Sequence, residues 1–120
     1  MRILVVDDDR DWTTALAEFL ELFGFRVVVA SDGGEALAAL RNGPPPAAIV
    51  LDLSMGGMDG VRFRTEQLSD ATLAATPTLL CSAALDAEQV ARTLHVDEFL
   101  SKPVAPMELL RILRRLTDAA

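Results

Sequence analysis

Four short runs set the tightest limit on what this chain can fold into: Ile3-Leu4-Val5-Val6, Val27-Val28-Val29, Ala48-Ile49-Val50-Leu51 and Thr78-Leu79-Leu80-Cys81. A strand with one wet face alternates apolar and polar residues. Runs without alternation predict strands covered on both faces. Asp97 to Leu100 reads as a weaker fifth strand. Between the runs lie segments of helical period. Trp12, Leu16, Phe19, Leu20 and Phe23 share one face of a first helix. Ala36, Leu37 and Leu40 make a second stripe, introduced by Ser31-Asp32 and stopped by Asn42-Gly43. Val61 to Leu68 and Asp86 to Leu94 predict a third and a fourth helix, the latter with Val90 and Leu94 inward. Leu109, Ile112, Leu113 and Leu116 line a fifth, with Arg111, Arg114 and Arg115 on its other side.

Alternating strands and helices imply a parallel sheet with right-handed crossovers. The expected fold class is α/β: a single doubly wound five-stranded parallel sheet of order 2-1-3-4-5, flanked by five helices. With 120 residues, the chain is expected to be one domain over 1–120. Its core must be aliphatic, because it has one Trp, five Phe and no Tyr. The single Cys excludes an internal disulfide, and Cys81 is expected to pack rather than react.

A net charge of −7 without a basic stripe makes nucleic acid a poor partner for this domain. No apolar stretch approaches the roughly 20 residues of a membrane span. The N-terminal apolar run stops at three aspartates, unlike a secretory leader, so a cytoplasmic location is expected. Gly43-Pro44-Pro45-Pro46 cannot continue a helix and is read as a connection between the second helix and the third strand.

In such sheets ligands gather at the carboxyl ends of the strands, and the polar residues lie there. Asp7, Asp8 and Asp9 follow strand one; Asp52 ends strand three; Ser82 ends strand four; Ser101-Lys102-Pro103 follows strand five. Order 2-1-3-4-5 brings them to one edge. Crowded carboxylates repel by roughly a few kcal/mol per pair at an effective dielectric of about 20. A divalent cation offsets this, and hard oxygen ligands point to Mg²⁺. A carboxylate beside a metal and a lysine is placed to attack phosphorus.

Ile3 to Asp9, Leu51 to Gly60, Ser82-Ala83 and Ser101-Lys102-Pro103 together resemble the receiver domains of two-component signalling, whose fold is flavodoxin-like. The match runs the length of the chain, in order and with the family's spacing. The resemblance implies a phosphorylation-dependent signalling switch, not an enzyme acting on an outside substrate. Asp52 would accept a phosphoryl group from a histidine kinase or a histidine phosphotransfer protein and catalyse its own transfer. Asp7, Asp8, Asp52 and the backbone carbonyl of Ser54 would hold Mg²⁺. Ser82 and Lys102 would bind phosphoryl oxygens, with a cis bond between Lys102 and Pro103. Ser82 and Phe99 would form the switch. Any homodimer would use the face of helix four, strand five and helix five, where Asp97, Glu98 and Glu108 would pair with Arg92 or Arg111. The chain departs from the family at Gly56, where Pro is usual, at His95-Val96, where Gly-Ala is usual, and at Phe99, where Tyr is common.

Some readings stay open at this level. Asp9 caps the first helix and Asp59-Gly60 the third. His95 is read as a helix-end residue. Trp12 is either core packing or an anchor for a docking phosphodonor. A phosphatase of the haloacid dehalogenase type would use Asp7-x-Asp9 and leave Asp52 unexplained. A flavodoxin-like FMN binder would need a phosphate loop where the three aspartates stand. Kinase, pathway, oligomeric state and attachment to an output domain are not written in these residues.

Overall fold

The computed structural model describes residues 1–53, 55 and 58–118. Ten elements alternate along the chain: β1 (Arg2–Val6), α1 (Arg10–Leu22), β2 (Arg26–Ala30), α2 (Gly33–Arg41), β3 (Ala48–Leu51), α3 (Gly60–Ser69), β4 (Thr78–Ser82), α4 (Ala87–Thr93), β5 (Glu98–Ser101) and α5 (Pro106–Asp118). The strands form one parallel sheet in the order β2-β1-β3-β4-β5. This is the expected doubly wound arrangement.

Successive strand residues point to opposite faces, and two cores result. Leu4, Val6, Ile49, Leu51 and Leu80 pack with Leu37, Leu40 and Phe63, under α2, α3 and α4. Ile3, Val5, Ala48, Val50, Leu79 and Cys81 pack with Leu16, Leu20, Leu109 and Leu113, under α1 and α5. The unbroken apolar runs are needed because both faces are covered. β2 is the exception: it is an outer strand, and Val29 is exposed.

Helix starts follow side-chain chemistry. Asp9, Asp32 and Asp59 each accept a backbone N–H three residues on, from Trp12, Glu35 and Arg62. Each supplies one of the orphan bonds of a first turn. Asp86 makes no such bond, and α4 is the shortest helix among those described. β5 begins at Glu98, one residue later than expected, because the Asp97 carboxylate instead accepts the Thr78 N–H at 2.7 Å. The weak pattern of α3 has a cause. Beside Phe63 it buries Arg64 and Gln67, which no amphipathic stripe reveals. Among the described residues, no helix is long and apolar enough to cross a membrane.

Candidate functional site

The site sits at the carboxyl edge of the sheet, where β1, β3 and β4 end side by side. Asp7 and Asp52 each leave the ladder by one last bond. The Asp7 N–H donates to the Ala30 carbonyl at 3.0 Å, and the Asp52 N–H donates to the Val6 carbonyl at 2.9 Å. Both backbones are therefore held by neighbouring strands while their side chains project beyond the sheet. Asp7 and Asp52 are buried and Asp8 is exposed.

One carboxylate oxygen from each of Asp7, Asp8 and Asp52 lies within 4.8 Å of the others. Opposite stands Lys102. Its ammonium donates to Asp7 Oδ2 at 2.7 Å and lies 3.8 Å from Asp52 Oδ1. The other Asp7 oxygen accepts the Asp9 N–H at 3.0 Å. Asp7 and Asp52 thus share one ammonium. Burial is the main force raising the Asp52 carboxyl, which is pushed up to about 6. Lys102 opposes the rise, Asp7 and Asp8 add to it, and a backbone hydrogen bond from Leu53 opposes it. Burial also works against the Lys102 ammonium, but Asp7 and Asp52 more than offset it and hold it above the usual lysine range.

The donor set fits a hard divalent cation. Three anionic oxygens converge, one carboxylate faces solvent, and the burial cost of the ionised Asp52 is unmet by the lysine alone.

Ser82 ends β4, buried, and its hydroxyl accepts the Ala84 N–H at 3.1 Å. That bond leaves the hydroxyl proton available. The Ser82 carbonyl accepts the Lys102 N–H at 3.0 Å, which joins the two strand ends. The Lys102-Pro103 bond is cis. Phe99 pairs with Leu80 across the sheet and is half-buried against the core under α4. Ser54 and Gly56 lie outside the described residues.

The charged residues of the α4–β5–α5 face are largely engaged within the chain. Glu98 pairs with Arg115, Arg92 with Glu88, and Asp97 binds the Thr78 backbone. Cys81 is buried, with its thiol pushed up to about 12 by burial, in keeping with packing rather than reactivity. His95 is exposed just past α4, as expected of a helix-end residue.

Two features escaped the sequence. Trp12 lies beside the site, with Lys102 Nζ 5.7 Å from the centroid of its ring. The sequence left Trp12 open between core packing and an anchor for a docking phosphodonor, and did not show its contact with Lys102, which is 90 residues away. The start of α3 also presses on the site. A Cβ at Gly60 would stand 2.1 Å from the Asp52 carbonyl oxygen, so no other residue fits there without a shift.

Comparison with known proteins places this arrangement. A family model described as the response regulator receiver domain matches residues 3–114. The transcriptional regulatory protein PrrA of Mycobacterium tuberculosis is 35% identical over 115 residues, covering 96% of this chain and 49% of that protein. The response regulator MprA of a Mycobacterium species is 34% identical over 116 residues, covering 97% of this chain and 50% of that protein. The chain therefore spans about half the length of these curated relatives. Among solved structures, the receiver domain of the Francisella response regulator 1452 superposes with a TM-score of 0.87 at 28% identity, covering 98% of this chain and 97% of that one. The phosphorylated cyanobacterial phytochrome response regulator RcpA superposes with a TM-score of 0.84 at 28% identity, covering 99% of this chain and 95% of that one.

Proposed function

Because the chain belongs to the response regulator receiver family and so to phosphorylation-dependent two-component signalling, we propose that residues 1–120 form one receiver domain whose phospho-acceptor is Asp52. The observation that carries this reading is the convergence of Asp52 with Asp7, Asp8 and Lys102. The phosphodonor is a histidine kinase or a histidine phosphotransfer protein, and the domain works in the cytoplasm.

The transfer follows from the chemistry of the groups. An Asp52 carboxylate oxygen attacks phosphorus and forms a P–O bond. The bond from phosphorus to the donor nitrogen breaks, and the imidazole leaves with that electron pair. Mg²⁺, held by Asp7, Asp8, Asp52 and the Ser54 carbonyl, would neutralise the carboxylates and the phosphoryl oxygens. Lys102 reaches a phosphoryl oxygen from its place between Asp7 and Asp52, and the Ser82 hydroxyl donates to another. The domain catalyses this transfer onto itself and is otherwise regulatory. Ser82, drawn toward the phosphoryl group, vacates space into which Phe99 turns, and this relays the signal.

Intact mass spectrometry after acetyl phosphate and Mg²⁺ tests the assignment. One phosphoryl group is expected on the wild type and none on Asp52→Ala. A phosphorylated Asp52→Ala protein would instead favour the phosphatase reading, with Asp7 as nucleophile.

A further inference from the structure

The Lys102 side chain carries four rotatable methylenes, and each must be held if its ammonium is to wait beside Asp52. Asp7 supplies one restraint, the 2.7 Å hydrogen bond. That restraint is directional and competes with the task, since an ammonium that turns to a phosphoryl oxygen must give up some of its hold on Asp7. A second restraint without this conflict lies on the other side. The Trp12 ring centroid is 5.7 Å from Lys102 Nζ, within the range of cation–π attraction. Both groups line a cleft of about 380 Å³, together with Asp9, Ala83 and Pro103.

The ring is itself well placed. The Asp9 N–H donates to Asp7 Oδ1, and the Trp12 N–H donates to Asp9 Oδ1 at 3.1 Å. The start of α1 is thus tied to the same carboxylate that binds the lysine. Trp12 also packs against the core under α1 and α5, which limits its own motion.

From this geometry we infer that Trp12 is a positioning residue for phosphoryl transfer: its indole holds the Lys102 ammonium at the mouth of the site. The inference rests on the reading of Asp52 as phospho-acceptor and Lys102 as its phosphoryl partner. An aromatic face attracts a cation without demanding one direction. The ammonium can therefore swing from Asp7 toward a phosphoryl oxygen on Asp52 and stay under the ring.

Two measurements test this. Trp12 is the sole tryptophan, so emission reports on that ring alone. Lys102→Met is expected to change the emission with no phosphodonor or metal present. Unchanged emission overturns the contact. The second measurement is the rate of Asp52 labelling by acetyl phosphate, a donor too small to dock on α1. Trp12→Leu keeps apolar volume but no ring and is expected to slow labelling about fivefold, whereas Trp12→Phe retains most of the rate. In a Lys102→Met background, Trp12→Leu should cost nothing more. Equal slowing in both backgrounds, or a Phe variant as slow as the Leu variant, overturns the positioning role. A wild type that takes no phosphoryl group overturns the Asp52 reading, and the kinetic role with it, while the emission measurement still reports the contact.

Discussion

At the scale of single residues, Asp52 is where folding and function pull apart. An unfolded aspartate titrates near 3.8, and this one is pushed up to about 6 by burial and by Asp7 and Asp8, against Lys102. Between those values the folded state binds the proton more tightly. The contribution of Asp52 to the stability of the metal-free protein therefore falls as pH rises from about 4 to 6, and stays at the lower level above. In a chelating buffer, Asp52→Asn is expected to flatten that slope and add about 1–3 kcal/mol at pH 7. Urea melts at pH 4.5 and 7 check this, and a parallel slope in both proteins would refute it. Mg²⁺ should repay the wild type instead. A ligand at about 100 times its dissociation constant adds about 2.7 kcal/mol. Thermal melts with millimolar Mg²⁺ should rise in the wild type and not in Asp8→Ala. The aspartates gathered here were readable from sequence because the ends of β1 and β3 are marked by an abrupt change from apolar to acidic, whereas Ser82 and Lys102 stood out only by their place in the strand order. The state of Asp52 was not, because burial and charge distance belong to the assembled site.

At the scale of elements, Arg64 is the clearest case of a residue that sequence pattern misjudges. It sits in α3 where a solvated arginine would be unremarkable, yet it is buried. Its guanidinium donates to the Leu94 carbonyl at 3.1 Å, the His95 carbonyl at 2.7 Å, Gln67 Oε1 at 2.9 Å and Thr78 Oγ1 at 3.1 Å. Burial draws the guanidinium below its usual value, and Asp97 opposes that. One side chain thereby ties α3 to β4 and to the end of α4. That end needs a tie, because His95 adopts a φ of 52°, the left-handed region where glycine is favoured. This is the position where the family usually has Gly. Arg64→Leu is expected to cost about 2–4 kcal/mol, since it leaves buried carbonyls without a donor. Arg64→Lys should recover little, because an ammonium lacks the planar fork. Urea unfolding measures both, and a loss below about 1 kcal/mol for the Leu variant would mean water replaces the guanidinium.

At the scale of the whole molecule, the question is how copies meet. Any homodimer is proposed to use the α4–β5–α5 face, but not through every pair that charge alone suggested. Glu98 and Arg92 already have partners, Arg115 and Glu88, and Asp97 is held by Thr78. Glu108 and Arg111 are exposed on α5. Sedimentation of the beryllofluoride-activated chain tests this. Glu108→Lys should weaken association about two- to fivefold, as an exposed pair contributes about 0–1 kcal/mol. Adding Arg111→Glu should restore it. Association indifferent to both changes would place the interface elsewhere.

Periodicity and punctuation carried the parallel sheet, the three aspartate caps and the roll of acidic residues, because each is local: a strand covered on both faces, a capped first turn and a strand end all leave marks within a few residues. The distances among Asp7, Asp8, Asp52 and Lys102, the indole against the lysine and the guanidinium under α4 came only with assembly. Each joins groups from different elements, up to 95 positions apart for Asp7 and Lys102. Such contacts depend on where a shared sheet puts its strand ends, and neighbours along the chain hold no record of that.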